Sequence, residues 1–382
     1  MMTDVSTFPE KIAATQSPKP DKVLNADSLL QWHRSRSVRQ RSIVLGTLCL
    51  LVISFLAVTG VGAVSISWYQ LMSILAEPLG LEWAWHTPQQ ALVFWEIRLP
   101  RVVGAVFIGA ALASSGAAMQ SLFRNPLVEP ALMGVSGGAA LMAVWVMVFG
   151  HFLIGVSLKN LLGVYILPVA AFTGGVGVTL LAYQIAGHQG RTGISTLILA
   201  GVALNALAGA AIGLTLFFAD DAAIRSFTFW SMGSLGSLNW SKLAVMCPIV
   251  VLGYGLIYTH SNALNAFALG EREAYFLGYR VQRVKRVVIL STALSVGATV
   301  AVAGVIGFMG LVVPHLVRMS LGAENKQVLR MTALVGALLM LWADLLARVL
   351  VAPAELPLGI VTSFLGAPFF IVLLFKYRKQ MI

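Results

Sequence analysis

The chain has 382 residues, 58% of them hydrophobic and only 11% charged, with a mean hydropathy of +0.85. That balance excludes an ordinary soluble domain and predicts an all-α polytopic membrane protein. The formal net charge of +11 does not argue for nucleic acid, because the basic residues are scattered between apolar runs, where loop charges set membrane orientation.

Residues 1–41 are polar, contain Pro9, Pro18 and Pro20, and end in the basic cluster Arg34, Arg36, Arg39 and Arg41. This composition predicts a disordered cytoplasmic tail, with Trp32 and His33 solvated or interfacial. No cleavable leader is expected, since the first apolar run begins only after Arg41 and is long enough to remain as a span. A transmembrane domain is predicted over 42–382. Its apolar spans fall at about 42–64, 93–122, 131–150, 161–186, 194–218, 241–260, 286–308, 311–323, 328–350 and 357–375, ten in all with the eighth short. Alternated from a cytoplasmic N-terminus, they put 20 of the 26 Lys and Arg inside, which predicts that both termini are cytoplasmic. Cys49 and Cys247 both lie in apolar runs, so no disulfide framework is implied.

Between the first two spans, Trp68, Tyr69, Trp83 and Trp85 read as an interfacial aromatic belt. Arg98 and Arg101 stand at the mouth of the second span, in which Gly109, Ala113 and Ala117 recur every fourth position. That spacing predicts a face for close helix packing in lipid. The run breaks at Asn125-Pro126 and restarts after Pro130. In the fifth span Gly201, Asn205, Gly209 and Gly213 form one stripe; Asn205 there either lines a pathway or makes an interhelical hydrogen bond. The segment after it, from Asp220 to Trp240, is too polar and Gly-rich for a span and predicts a short outer-surface helix.

The longest internal cytoplasmic stretch, about 261–286, mixes Ala274, Phe276, Leu277, Val281 and Val284 with Glu271, Arg272, Glu273, Arg280, Arg283 and Lys285. Gly270 and Gly278 divide it into short helices, and its charged, half-apolar surface reads as a docking element for a partner protein, or as an amphipathic helix on lipid. In the ninth span Gly336, Met340, Asp344 and Arg348 are four apart, so Asp344 and Arg348 can pair along one face.

The chemistry of other classes is missing from the pattern. Carboxylates lie in loops or near span ends rather than at mid-membrane, against an ion-coupled carrier. No nucleophile–base set or H-E-x-x-H occurs, against an intramembrane hydrolase. His315 has no Cys, Asp, Glu or second His near it in sequence, so no metal site, catalytic residue or cofactor site is assigned to this chain.

Several segments together carry a resemblance: RLPR at 98–101, GAALASSGAAMQ at 109–120, NPLVEPALMGVSGGA at 125–139, LILAGVALN at 197–205, FWSMGSL at 229–235, the GEREAYFLGYR loop, GFMGLVVPHLVR at 307–318 and APAELPLGIVTSFLGAPFF at 352–370. The chain resembles the FecCD-type membrane permease subunits of type II ABC importers, which take up haem, iron-siderophores or vitamin B12. The resemblance implies ten helices per subunit, a second copy of the chain, two cytosolic ATPase subunits, a periplasmic binding protein, and the bacterial inner membrane as location. It implies that Arg98, Arg101 and Arg348 dock the binding protein, and that Gly270, Glu271, Arg272, Glu273, Gly278 and Arg280 belong to the element that couples to the ATPase. It also implies a cytoplasmic constriction at HQGRTGIST, residues 188–196, where Gly193, Ser195 and Thr196 close against the symmetry mate; Asn205 and Gly209 then belong to the pathway. ATP is expected on the partner subunits, since this chain has no GxxxxGK[ST] loop. Val305 stands where many B12 and siderophore permeases have proline, so the resemblance leans to haem.

Overall fold

The computed structural model describes residues 26–62, 64–80, 85–153, 162–188 and 191–378. Expected features at Pro9, Pro18, Pro20, Trp83, Lys159, Gln189, Gly190 and Lys379 lie outside these residues. Two units are distinguished, Met1–Gly46 and Thr47–Ile382. Helix α1 runs Ala26–Gly60, so residues 26–41, expected to be disordered, are helical. The prolines all precede that stretch, and from Ala26 to Arg41 the sequence holds no Pro or Gly and is rich in Leu, Arg and Gln, which favour helix.

After α1 come α2 (Trp68–Ala76) and α3 (Pro88–Leu92), each opened by a reciprocal capping box: Ser67 with Gln70, and Thr87 with Gln90. A π-turn, Val93–Arg98, leads into α4 (Leu99–Phe123). Then follow α5 (Val135–Leu153), α6 (Ile166–Ile185), α7 (Ile194–Phe217) and α8 (Asp221–Ser231). Helix α8 is the short helix expected there, capped by Asp220 accepting from the Ala223 N–H at 2.7 Å. The chain continues through α9 (Trp240–Thr259), α10 (Ser261–Leu269), α11 (Glu271–Phe276), α12 (Val281–Ala303), α13 (Met309–Leu321), α14 (Asn325–Val349) and α15 (Leu358–Arg378). Among the described residues the only extended pairing is a two-residue antiparallel ladder, Gly187–His188 with Arg191–Thr192.

Seven of the described helices are long and apolar enough to cross a bilayer, against ten spans expected. The other three expected spans fall on the apolar helices α5, of 19 residues, α13, of 13, and α15, of 21. Local breaks set where two of these begin. The chain entering α5 first makes a 3-10 turn at Pro130–Met133, and a non-helical stretch at 304–307 separates α12 from α13.

The core is built on α4, α12 and α14, which are buried over most of their length, whereas α1, α6 and α7 are largely exposed. Helices α4 and α14 run antiparallel in one unbroken register. Arg101 meets Asp344, Gly109 meets Gly336, and Ser121 meets Asn325. Twenty residues of α4 separate the first and last of these contacts, about 30 Å at helical rise and the thickness of a bilayer core. The middle contact is backbone against backbone: a Cβ on Gly109 would strike the Gly336 carbonyl, and one on Gly336 would strike that of Gly109. The small-residue face expected on this helix is therefore real. A second close approach, Gly116 against Gly310 at the start of α13, lies two turns further along the same helix.

Candidate functional site

At the arginine end of the α4–α14 pair, three guanidiniums and two carboxylates interlock. Arg101 is bidentate on both sides: its Nε and Nη2 donate to Asp344, with Nη2 2.9 Å from Oδ1, and its Nη1 donates to both Glu355 oxygens at 2.9 Å. Arg348 Nε lies 3.2 Å from Asp344 Oδ2, the i,i+4 pair the sequence predicts. Arg98 donates to the carbonyls of Thr59, Gly60 and Val64, while Arg348 donates to those of Val61 and Val58. Two arginines thus satisfy the carbonyls of Val58, Thr59 and Gly60, which the end of α1 leaves without intrahelical partners, and those of Val61 and Val64 just beyond it.

The side chains of Arg101, Arg348 and Asp344 are 9%, 8% and 1% exposed, and that of Glu355 is 46%. Docking through Arg98, Arg101 and Arg348 presupposes free guanidinium faces. The structure instead turns all three inward onto internal partners, because each has carboxylates or orphan carbonyls within reach. Glu355 is the accessible edge of the network. Glu355→Gln is expected to lower stability by no more than about 1 kcal/mol, as for an exposed ion pair, measured as a small fall in the thermal midpoint of purified protein.

At the opposite end, Ser121 on α4, Arg318 on α13 and Asn325 on α14 form a polar cluster: Arg318 Nη2 donates to Ser121 Oγ at 2.7 Å and to the Ala117 carbonyl at 3.1 Å. Asn265 on α10 accepts from the Asn325 N–H and amide at 2.8 and 3.0 Å, which fixes α10 to the core. Helix α11 follows across Gly270, whose φ of 141° only glycine adopts readily, and ends before Gly278 at φ 90°. These are the two breaks the sequence predicts. On α11 Ala274 faces inward, while Arg272, Glu273, Tyr275 and Phe276 are exposed, followed by Leu277; Phe276 is 72% exposed. Arg272 lies over the Phe276 ring at 5.8 Å. This is an apolar patch with a charged rim.

The two-residue ladder closes beside α11. Gly193, Ser195 and Thr196 follow it and are all exposed. Asn205, one turn further along α7 than Gly201, donates to the Ala131 carbonyl at 3.0 Å; this is the interhelical alternative of the two readings given above. Nothing approaches a Cβ built on Gly209 or Gly213 within 4 Å, so that half of the stripe is open. In the connection between α4 and α5, Glu129 accepts the Phe308 N–H at 3.1 Å; burial pushes its carboxyl above the usual range and this hydrogen bond opposes the shift. His315 is buried, edge-on to Phe369 with ring centroids 6.0 Å apart, and no group of three or more His, Cys, Asp or Glu gathers among the described residues.

The family model of the FecCD transport family matches residues 50–376. The chain belongs to the FecCD family. It is 43% identical over 342 residues to the hemin transport system permease protein HmuU of Yersinia pestis, covering 89% of this chain and 98% of that protein. It is 42% identical over 296 residues to the vitamin B12 import system permease protein BtuC of Vibrio cholerae, covering 77% of this chain and 85% of that protein. A solved metal-chelate type ABC transporter in an inward-facing conformation superposes with a TM-score of 0.76 at 34% identity, covering 88% of this chain and 99% of that one. This FecCD-family chain is accordingly the permease subunit of an ABC importer, an integral membrane protein whose relatives are transport subunits rather than enzymes.

Sequence reasoning missed Glu355 and Asn265 as members of these clusters, and Asp344 as the partner of Arg101. Their partners are 254, 60 and 243 positions away, and no local spacing reports such contacts.

Proposed function

We propose that this permease carries haem across the bacterial inner membrane as a homodimer with both termini in the cytoplasm, driven by two cytosolic ATPase subunits and supplied by a periplasmic binding protein. The observation that carries the haem reading is the 43% identity to the hemin permease over 98% of that protein's length, against 38% over the same share of the Escherichia coli vitamin B12 permease. An open cavity of about 720 Å³ supports it: Met232, Val305, Ile360, Phe364 and Ala367 give it an almost wholly apolar lining, suited to a flat porphyrin. Cobalamin is the second reading, favoured by the 42% identity to the Vibrio permease, and a ferric siderophore is a third.

The exposed Tyr275, Phe276 and Leu277 on and after α11 are the proposed ATPase contact, with Arg272, Glu273 and Arg280 as its charged rim. Phe276→Asp is expected to weaken co-purification of the ATPase at least about tenfold while the permease stays folded, as for a buried aromatic anchor; undiminished co-purification would contradict the assignment. On the opposite face the binding protein docks beside the Arg98, Arg101 and Arg348 network, whose accessible edge is Glu355. Gly193, Ser195 and Thr196 form the cytoplasmic constriction, and Gly209 lies along the pathway.

The substrate is tested by ATP hydrolysis of the assembled complex with its binding protein loaded in turn with haem, cobalamin or a ferric siderophore. Stimulation by haem alone is the expected result. Stimulation by cobalamin or the siderophore without haem would replace the reading.

A further inference from the structure

Lys285, in the second turn of α12, is 2% exposed. Its ammonium has two partners on different elements: it donates to the Thr192 carbonyl at 2.8 Å and to Glu271 Oε2 at 2.6 Å. Three residues earlier on the same face, Gln282 Oε1 accepts the Thr192 N–H at 3.0 Å. Both backbone groups of Thr192 are thus held by the start of α12. Thr192 closes the ladder with Gly187 and directly precedes Gly193, Ser195 and Thr196. Glu271 is the first residue of α11, whose other face carries the exposed apolar patch.

From this geometry we infer that Lys285 is a positioning residue that transmits displacement of α11 to Thr192 and the residues 193–196 that follow it, rather than a staple of a static segment. The inference rests on the reading of α11 as the ATPase contact. Desolvating an ammonium is costly, and an apolar side chain of similar volume would hold an immobile loop as well or better. Short charge-assisted hydrogen bonds are directional, so a shift of Glu271 moves the ammonium and, through it, the Thr192 carbonyl, where an apolar contact would slip. The neighbouring helix supplies the fixed point. Asn265 anchors α10 to α14, and the chain bends between α10 and α11 at Gly270. Helix α11 can therefore pivot against the anchored α10, with Lys285 carrying the motion to Thr192.

The test uses the full complex of permease, ATPase and binding protein in proteoliposomes. Ser195→Cys is introduced with Cys49→Ser and Cys247→Ala, and its reaction with a membrane-impermeant thiol reagent is timed with and without ATP. ATP is expected to change that rate when Lys285 is present. Lys285→Met is expected to abolish the change and to lower substrate uptake per ATP hydrolysed at least about tenfold, within the usual range of coupling between sites, while the ATPase still co-purifies. Should Lys285→Met not accumulate, Glu271→Gln keeps the shape, removes the ion pair and predicts the same loss of ATP response. A Lys285→Met complex with the normal ATP response overturns the inference alone. A complex retaining Lys285 whose Ser195→Cys rate ignores ATP overturns the constriction reading and the inference with it.

Discussion

Asp344→Asn is expected to destabilise the folded permease by about 3–5 kcal/mol, the cost of removing one partner from a buried ion pair. Asp344 is 1% exposed and stands between Arg101 and Arg348. Asparagine fills the same volume but leaves two inward-turned guanidiniums facing an amide. Glu355 still holds Arg101 and two carbonyls still hold Arg348, so the unpaired charge falls within this network rather than in water. The measurement is the thermal midpoint in detergent beside Glu355→Gln. A large fall for Asp344→Asn with a small one for Glu355→Gln is predicted, and equal shifts would contradict the burial argument. The same network bears on how docking is probed. Reversing Arg98 and Arg101 to Glu would confront Asp344 with a like charge and remove donors from the α1 carbonyls, so folded protein would be lost before any change in docking could be read.

Gly109→Leu is expected to be one of the most damaging single changes on α4. A Cβ at that position already meets the Gly336 carbonyl, and backbone is the part of the structure least able to yield. Overpacking of a tight interface costs about 1–3 kcal/mol even where side chains can move; here α4 and α14 must separate along a contact that spans the membrane. Folded yield in the membrane should collapse, whereas Gly213→Leu on the open part of α7 should leave it largely intact, since nothing lies within 4 Å of a Cβ there. Similar yields for the two variants would show that the α4–α14 contact does not hold the core.

Much of this architecture was legible in the residues because its signals are local. Apolar runs locate the helices, and Gly109, Ala113 and Ala117 mark a packing face. Gly270 and Gly278 mark the ends of α11, and Asp344 with Arg348 is an i,i+4 pair. The arginines at the span mouths are legible in the sequence but their surroundings are not. Charge at a span mouth suggests exposure, yet in the fold Asp344 and Glu355 arrive from far along the chain and draw Arg101 inward. The helical start of the tail was hidden for a related reason: polar composition speaks for solvation, but a run without Pro or Gly continues a helix already nucleated by the span that follows. Hydropathy located the apolar runs but not the 3-10 turn before α5 or the non-helical stretch before α13. Lys285 was visible only as one charge in a basic loop, since Thr192 and Glu271 come from separate segments.

The proposed function requires that haem crosses through this chain in response to ATP hydrolysed on subunits docked at α11. The deciding experiment is haem uptake into proteoliposomes holding the permease and its ATPase, with haem-loaded binding protein supplied on the side of Arg101. ATP should drive accumulation of haem, and Phe276→Asp should abolish it. Accumulation of cobalamin without haem, or haem movement that neither ATP nor Phe276→Asp alters, would contradict it.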